Sequence, residues 1–83
     1  MPKVYVIVDT KMNVDSFMFM QQTNGAAASY FYNWCLLQNH RDFALHSIID
    51  IDFNDNVYIP TDMTREHICD MPSEDDNNAN NKG

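Results

Sequence analysis

Any chemistry in this chain of 83 residues has to come from a short inventory of side chains. His40, His46, His67 and Cys69 are the soft metal ligands. Zinc sites pair such ligands at short fixed spacing, and only His67-x-Cys69 comes close. Asp50-x-Asp52-x-Asn54-x-Asn56 alternates oxygen donors as a calcium loop does. The position that needs glycine holds Asp55, and the one that needs a bidentate glutamate holds Thr61, so the pattern fails. Cys35 with a histidine would make a nucleophile pair, but it falls in an aromatic stretch where burial raises a thiol's pKa and makes it inert. The two glycines, Gly25 and Gly83, are too few and too far apart for a phosphate loop. The expectation is a chain with no catalytic, metal or cofactor site, and no enzyme.

Charge narrows the partners. Twelve carboxylates against five bases give a formal charge of −7. Binding to nucleic acid needs Lys and Arg to neutralise phosphates, and Lys3, Lys11, Arg41, Arg65 and Lys82 are scattered along the chain. Direct nucleic-acid binding is therefore expected to be weak and salt-sensitive at most, and anionic membrane is disfavoured on the same ground. The apolar run from Val4 to Val8 is shorter than a signal peptide or a membrane span requires. With only two cysteines, a cytoplasmic chain with reduced thiols is expected.

The elements follow from patterning. Val4-Tyr5-Val6-Ile7-Val8 is β-branched and aromatic throughout, which suits a central strand buried on both faces. After a polar turn at residues 9–13, Ser16 to Gln21 reads as a second strand, with Phe17 and Phe19 on one face and Met18 and Met20 on the other. Thr23 or Asn24 caps the one substantial helix, on which Ala27, Tyr30, Phe31, Trp34 and Leu37 form an apolar stripe. Residues 43–53 alternate. Phe43, Leu45, Ile49, Ile51 and Phe53 fall on one face, and Ala44, His46, Asp50 and Asp52 on a wet one. A turn at residues 54–56 leads to a short strand at Val57-Tyr58-Ile59, stopped by Pro60. Residues 61–70 are expected to hold one helical turn capped by Thr64. The tail from 71 to 83 is too polar to offset its ordering entropy and is expected to be disordered.

The order of these elements carries a resemblance. Asp9 and Lys11 end the first strand; Asn24, Gly25, Ala27 and Phe31 open the helix; Asp42, Phe43 and Leu45 lead into the alternating strand, with Asp52 and Phe53 near its end. Over residues 3–60 this is similar to the small non-structural protein family of gokushoviruses, the single-stranded DNA phages of the Microviridae. Ser29 stands where that family usually carries Arg, the segment before the helix has Ser16-Phe17 in place of Pro-Phe, the connection to Asp42 is shorter, and the glycine after the hydrophobic strand is absent. The resemblance implies a bacteriophage accessory protein made in the host bacterial cytoplasm and absent from the virion. Its implied role is in genome replication or the switch to single-stranded DNA synthesis and packaging.

Together these readings predict a single α+β domain over residues 1–70, of order β-β-α-β-β, with a mainly antiparallel sheet and the helix on one face. Open sheet edges and a small core predict a homodimer. Tyr32 and Leu36, off the helix stripe, and His46, Asp50 and Asp52, on the wet strand face, are the candidate interaction surface for phage or host replication proteins. The alternatives are an acidic inhibitor of a host protein that mimics nucleic acid, and a weak single-stranded-DNA binder that stacks bases on Tyr5, Phe17, Phe19 and Tyr58, four aromatics that read first as core beneath the helix.

Overall fold

The β-branched run near the start of the chain forms β1 (Lys3–Asp9), paired on both edges. In the computed structural model, which describes residues 2–71, its antiparallel neighbours are β2 (Val14–Gln21) and β3 (Phe43–Asn54). Two flanking strands bury Tyr5, Val6, Ile7 and Val8. The β1–β2 turn is held by Asp9, whose Oδ1 accepts from the N–H of Lys11 at 3.0 Å and of Met12 at 2.9 Å. Asn13 closes it at φ 58°, a conformation asparagine tolerates.

Helix α1 (Asn24–Cys35) starts where Thr23 Oγ1 accepts the Ala26 N–H at 3.1 Å. Asn24 is the anchor beside the cap: its Oδ1 accepts the Tyr5 hydroxyl at 2.7 Å and ties the helix start to the middle of the sheet. Ala27, Phe31 and Cys35, one turn apart, form the buried face. The expected stripe is thus rotated. Tyr30 and Trp34 lie at its margin, and Leu37 falls past the helix end with 83 % of its surface exposed. Tyr5, Ile7, Phe43 and Leu45 meet the helix from the sheet.

β3 is twice the length of its partner β4 (Val57–Asp62), which covers only Asp50 to Asn54. The rest of that edge is paired by a fifth strand, β5 (Glu66–Asp70), opposite Ala44 to Ser47. This replaces the helical turn expected at residues 61–70. An unpaired β3 edge beside the core would leave backbone groups unsatisfied, and a strand satisfies them where a helical turn would not. Thr64 is no helix cap; its N–H and hydroxyl both donate to Asp62 Oδ1, at 3.1 and 2.8 Å. Nor does Pro60 stop β4. It sits inside this edge strand opposite Ile51, a place a sheet tolerates proline. Asp55 and Asn56, at φ 51° and 64°, make the tight β3–β4 turn.

The sheet order is β2-β1-β3-β4, with β5 also on β3, so the domain is α+β with a five-stranded antiparallel sheet and one helix on one face. Met71, assigned to the tail by the sequence reading, belongs to the core: it is buried and its N–H donates to the Phe43 carbonyl at 3.0 Å. The expected disordered tail otherwise lies outside the described residues.

One irregularity reverses part of β3. Val4 pairs with Ile49 and Tyr5 with Ser47, which leaves Ile48 as the extra residue of a bulge. Beyond it the alternation changes sense. Asp50 and Asp52 join the helix side with Phe43 and Leu45, while Ile49, Ile51 and Phe53 join the open side with Ala44 and His46. The face expected from strict alternation is therefore split in two.

Candidate interaction surface

The five residues picked from the sequence do not form one surface. Tyr32 on α1 and Leu36 at its C-cap are exposed, outside the buried face of Ala27, Phe31 and Cys35. His46 lies on the opposite, open sheet face, paired with Val6 and His67. Asp50 and Asp52 occupy the helix side of β3 beyond the bulge, where Lys3 Nζ stands 3.6 Å from Asp50 Oδ1. Lys3 begins β1 and Lys11 lies in the turn beyond its other end, so these two bases stand apart.

On the open face, Arg65 lies across the sheet. Its Nε–H donates to His46 Nδ1 at 2.8 Å, and its two terminal nitrogens donate to the Asp15 carboxylate at 2.9 and 3.3 Å. His46 is on β3 and Asp15 on β2, so the guanidinium reaches over β1, above Val6 and Val8, their register partners. Accepting from Arg65 makes His46 neutral at Nδ1. Burial first, then the charge of Arg65 and the neighbouring His67, hold its pKa below the ordinary value. The Arg65 hydrogen bond likewise holds the Asp15 carboxyl down. His67 Nε2 is 2.9 Å from Asp70 Oδ1, and its ring meets His46 edge-on with centroids 5.5 Å apart. Nothing in the sequence signals that Arg65 pairs with Asp15, because the two stand 50 positions apart.

The His67-x-Cys69 pair comes apart in the fold. A bulge at Ile68 places His67 opposite His46 and Cys69 opposite Leu45, on different faces. Among the described residues no three metal-ligating side chains converge. Cys35 is buried as expected, and burial pushes its thiol up to about 11, which leaves it protonated and unreactive near neutrality.

Two apolar regions are open to solvent. The first is the free end of the β3–β4 hairpin. β4 is exposed along its whole length and pairs with β3 alone, and the molecule reaches 53 Å in its long dimension. Ile51, Phe53, Tyr58 and Pro60 share the open side of this arm through their register pairs. The Phe53 and Tyr58 rings are 4.8 Å apart, and each residue is 56 % exposed. Tyr58 is thus not part of a core beneath the helix, where Tyr5 is buried and Phe19 packs against the core cluster. The arm's other side carries Asp50 and Asp62 as a register pair, then Asp52 with Ile59.

The second open region surrounds β2. On the helix side Phe17 stacks with Phe19, Tyr30 and Trp34, at centroid distances of 6.3, 6.2 and 5.9 Å. Beside them Tyr30, Asn33, Trp34 and Leu37 line a shallow apolar pocket of about 240 Å³. On the other side Met18 and Met20 are exposed. No family model, curated protein or solved structure matches this chain.

Proposed function

We propose that this chain is a non-enzymatic accessory protein that binds another protein with its β3–β4 arm. The observation that carries the reading is the arm itself: a projecting hairpin with an exposed aromatic pair on one side and three carboxylates, Asp50, Asp52 and Asp62, on the other. Exposed aromatics near the centre of a patch are typical anchors of protein interfaces. The complementary partner is a protein with an apolar cleft and a basic rim. A net charge of −7 and the absence of a basic groove among the described residues favour a protein over DNA. The gokushovirus resemblance supplies the setting, in which the partner is a phage or host replication protein in the bacterial cytoplasm and the role is genome replication or the switch to single-stranded DNA synthesis and packaging.

The test is recovery from infected cells on the immobilised full chain, with and without nuclease, beside Tyr58→Ser. Phage replication protein or host replisome subunits retained after nuclease by the wild type and lost by Tyr58→Ser support the proposal. Recovery that depends on intact DNA overturns it and returns attention to the aromatics of β2. The acidic-mimic reading is favoured by one observation, that Asp50, Asp52 and Asp62 share a side of the arm. It predicts instead a host nuclease or DNA-binding defence protein, lost on Asp52→Asn with Asp62→Asn and kept by Tyr58→Ser. The Lys3 neighbour of Asp50 weakens that acidic row and places this reading second.

A further inference from the structure

We infer that two copies of this chain join along their β2 edges, antiparallel about a two-fold axis through Met18, into one continuous ten-stranded sheet. The inference begins with the backbone. β2 pairs with β1 on one side and with nothing among the described residues on the other, so its outer N–H and C=O groups are open to pair with another strand. Proteins that keep such an edge free guard it with charge, proline or an inward-pointing ionic group. The opposite border of this sheet is guarded in that way, by Pro60 and Asp62 on β4 and by Glu66, His67 and Asp70 on β5. β2 has no such residue from Ser16 to Gln21, and Asp15 at its start is already engaged by Arg65.

The side chains say what covers that edge. Phe17-Met18-Phe19 is its own complement when a second copy runs antiparallel. With Met18 opposite Met18 of the second copy, Phe17 lies opposite the other copy's Phe19 and Phe19 opposite its Phe17. Four phenylalanines then form one row on the helix side, and the methionines form another on the open side. A two-fold normal to the sheet puts both helices in the same layer. The exposed Tyr30 and Leu37, beside the pocket that Trp34 lines, then fill the space between them. Charge selects the same edge. Two chains of −7 repel one another, which favours contact along a border without free charge, and the middle of β2 is such a border. Pairing there leaves the arm at the two far ends of the dimer, free for its partner.

Sedimentation equilibrium on the full chain tests this, with Met18→Lys and Tyr58→Lys beside the wild type and far-ultraviolet circular dichroism as the check on folding. Met18 is 60 % exposed and faces away from the helix, so lysine is accommodated in the monomer. The expected result is a dimer for the wild type and for Tyr58→Lys. Met18→Lys is expected to fold and to dimerise at least about 100-fold more weakly, because two ammonium groups would meet on the axis. A wild type that stays monomeric at concentrations that saturate ordinary homodimers overturns the inference. So does a dimer that survives Met18→Lys and is lost in Tyr58→Lys, which would place the interface on the arm. A monomeric Met18→Lys that still captures the replication protein would separate dimerisation from partner binding, so the two proposals stand or fall independently.

Discussion

Phe31 and Phe53 are the same residue type placed on opposite terms with water. Phe31 sits in the middle of α1 with 2 % of its surface exposed, against Tyr5, Ile7, Phe43 and Leu45. Phe53 stands on the arm with the Tyr58 ring beside it and more than half of its surface open. The difference follows from having one helix for a two-faced sheet. Helix α1 seals the Tyr5–Ile7 side. The other side is crossed by one arginine near its middle and left apolar toward the arm. Buried surface therefore explains why the domain folds, and exposed surface of the same chemistry requires some other reason to be there.

The sharpest way to break that comparison is to truncate both rings. Phe31→Ala is expected to cost about 3–5 kcal/mol through lost transfer energy and the cavity it leaves. For a domain this small that is a large share of its stability, so urea denaturation should show a midpoint moved far toward zero denaturant. Phe53→Ala is expected to change stability by no more than about 0.5 kcal/mol, as a surface substitution, and to act on partner capture alone. Equal losses at the two positions would mean that the arm is part of the folding core.

Tyr5→Phe probes the covered face with a smaller lever. It removes the 2.7 Å hydrogen bond to Asn24 without opening a cavity, and the expected loss is about 1 kcal/mol in the same denaturation measurement. The Tyr5 hydroxyl, its pKa raised by burial and by the charge of Asp50, stays protonated through the physiological range and is therefore always a donor. Asn24→Ala should produce a similar loss, and the double variant should cost less than the sum of the two, since both remove the same bond.

The covered face was largely legible in the sequence. An uninterrupted β-branched run predicted the central strand, Thr23 before an alanine run predicted the helix start, and phenylalanines two apart predicted the shared face of Phe17 and Phe19. The open face was not, because its organisation depends on single-residue insertions. The bulge at Ile48 moves Asp50 and Asp52 to the helix side and carries Ile49, Ile51 and Phe53 the other way. A second bulge at Ile68 separates His67 from Cys69. A period of two cannot announce where it will skip. β5 was missed for a related reason: residues 66–70 carry little strand patterning of their own and are recruited by the unpaired length of β3. The bulge at Ile48 also parts His46 from Asp50 and Asp52 in the candidate surface, and Arg65 became visible only once three strands had brought Asp15 beneath it.

The open face makes its smallest claim through acid. His46 has a folded pKa below its ordinary 6.5, from burial and from Arg65, so the unfolded chain binds its proton more readily. Asp15 has a folded pKa below its ordinary 3.8, from the Arg65 hydrogen bond. Both groups therefore contribute stability that is present at neutral pH and lost as pH falls, His46 from about its ordinary value downward and Asp15 below its own. Protonation of His46 also removes the acceptor for Arg65 Nε and sets two cations side by side, with His67 as a third group and Asp15 and Asp70 as the opposing carboxylates. Arg65→Met keeps the length of the side chain and removes the guanidinium. Since Arg65 and Asp15 are both about half exposed, the expected loss at pH 7 is below about 1 kcal/mol. The gap in denaturation midpoint between wild type and variant should narrow as pH is lowered from 7 toward 4, because protonation of His46 removes its bond to Arg65 there, and should close further only below the ordinary Asp15 value, where the carboxylate is lost. A gap that stays constant from pH 7 to 4 would mean that the bond to His46 contributes nothing, and one that also survives protonation of Asp15 would mean that Arg65 stabilises by covering Val6 and Val8 with its methylenes, so that the strap is an extension of the apolar core and not a polar clasp.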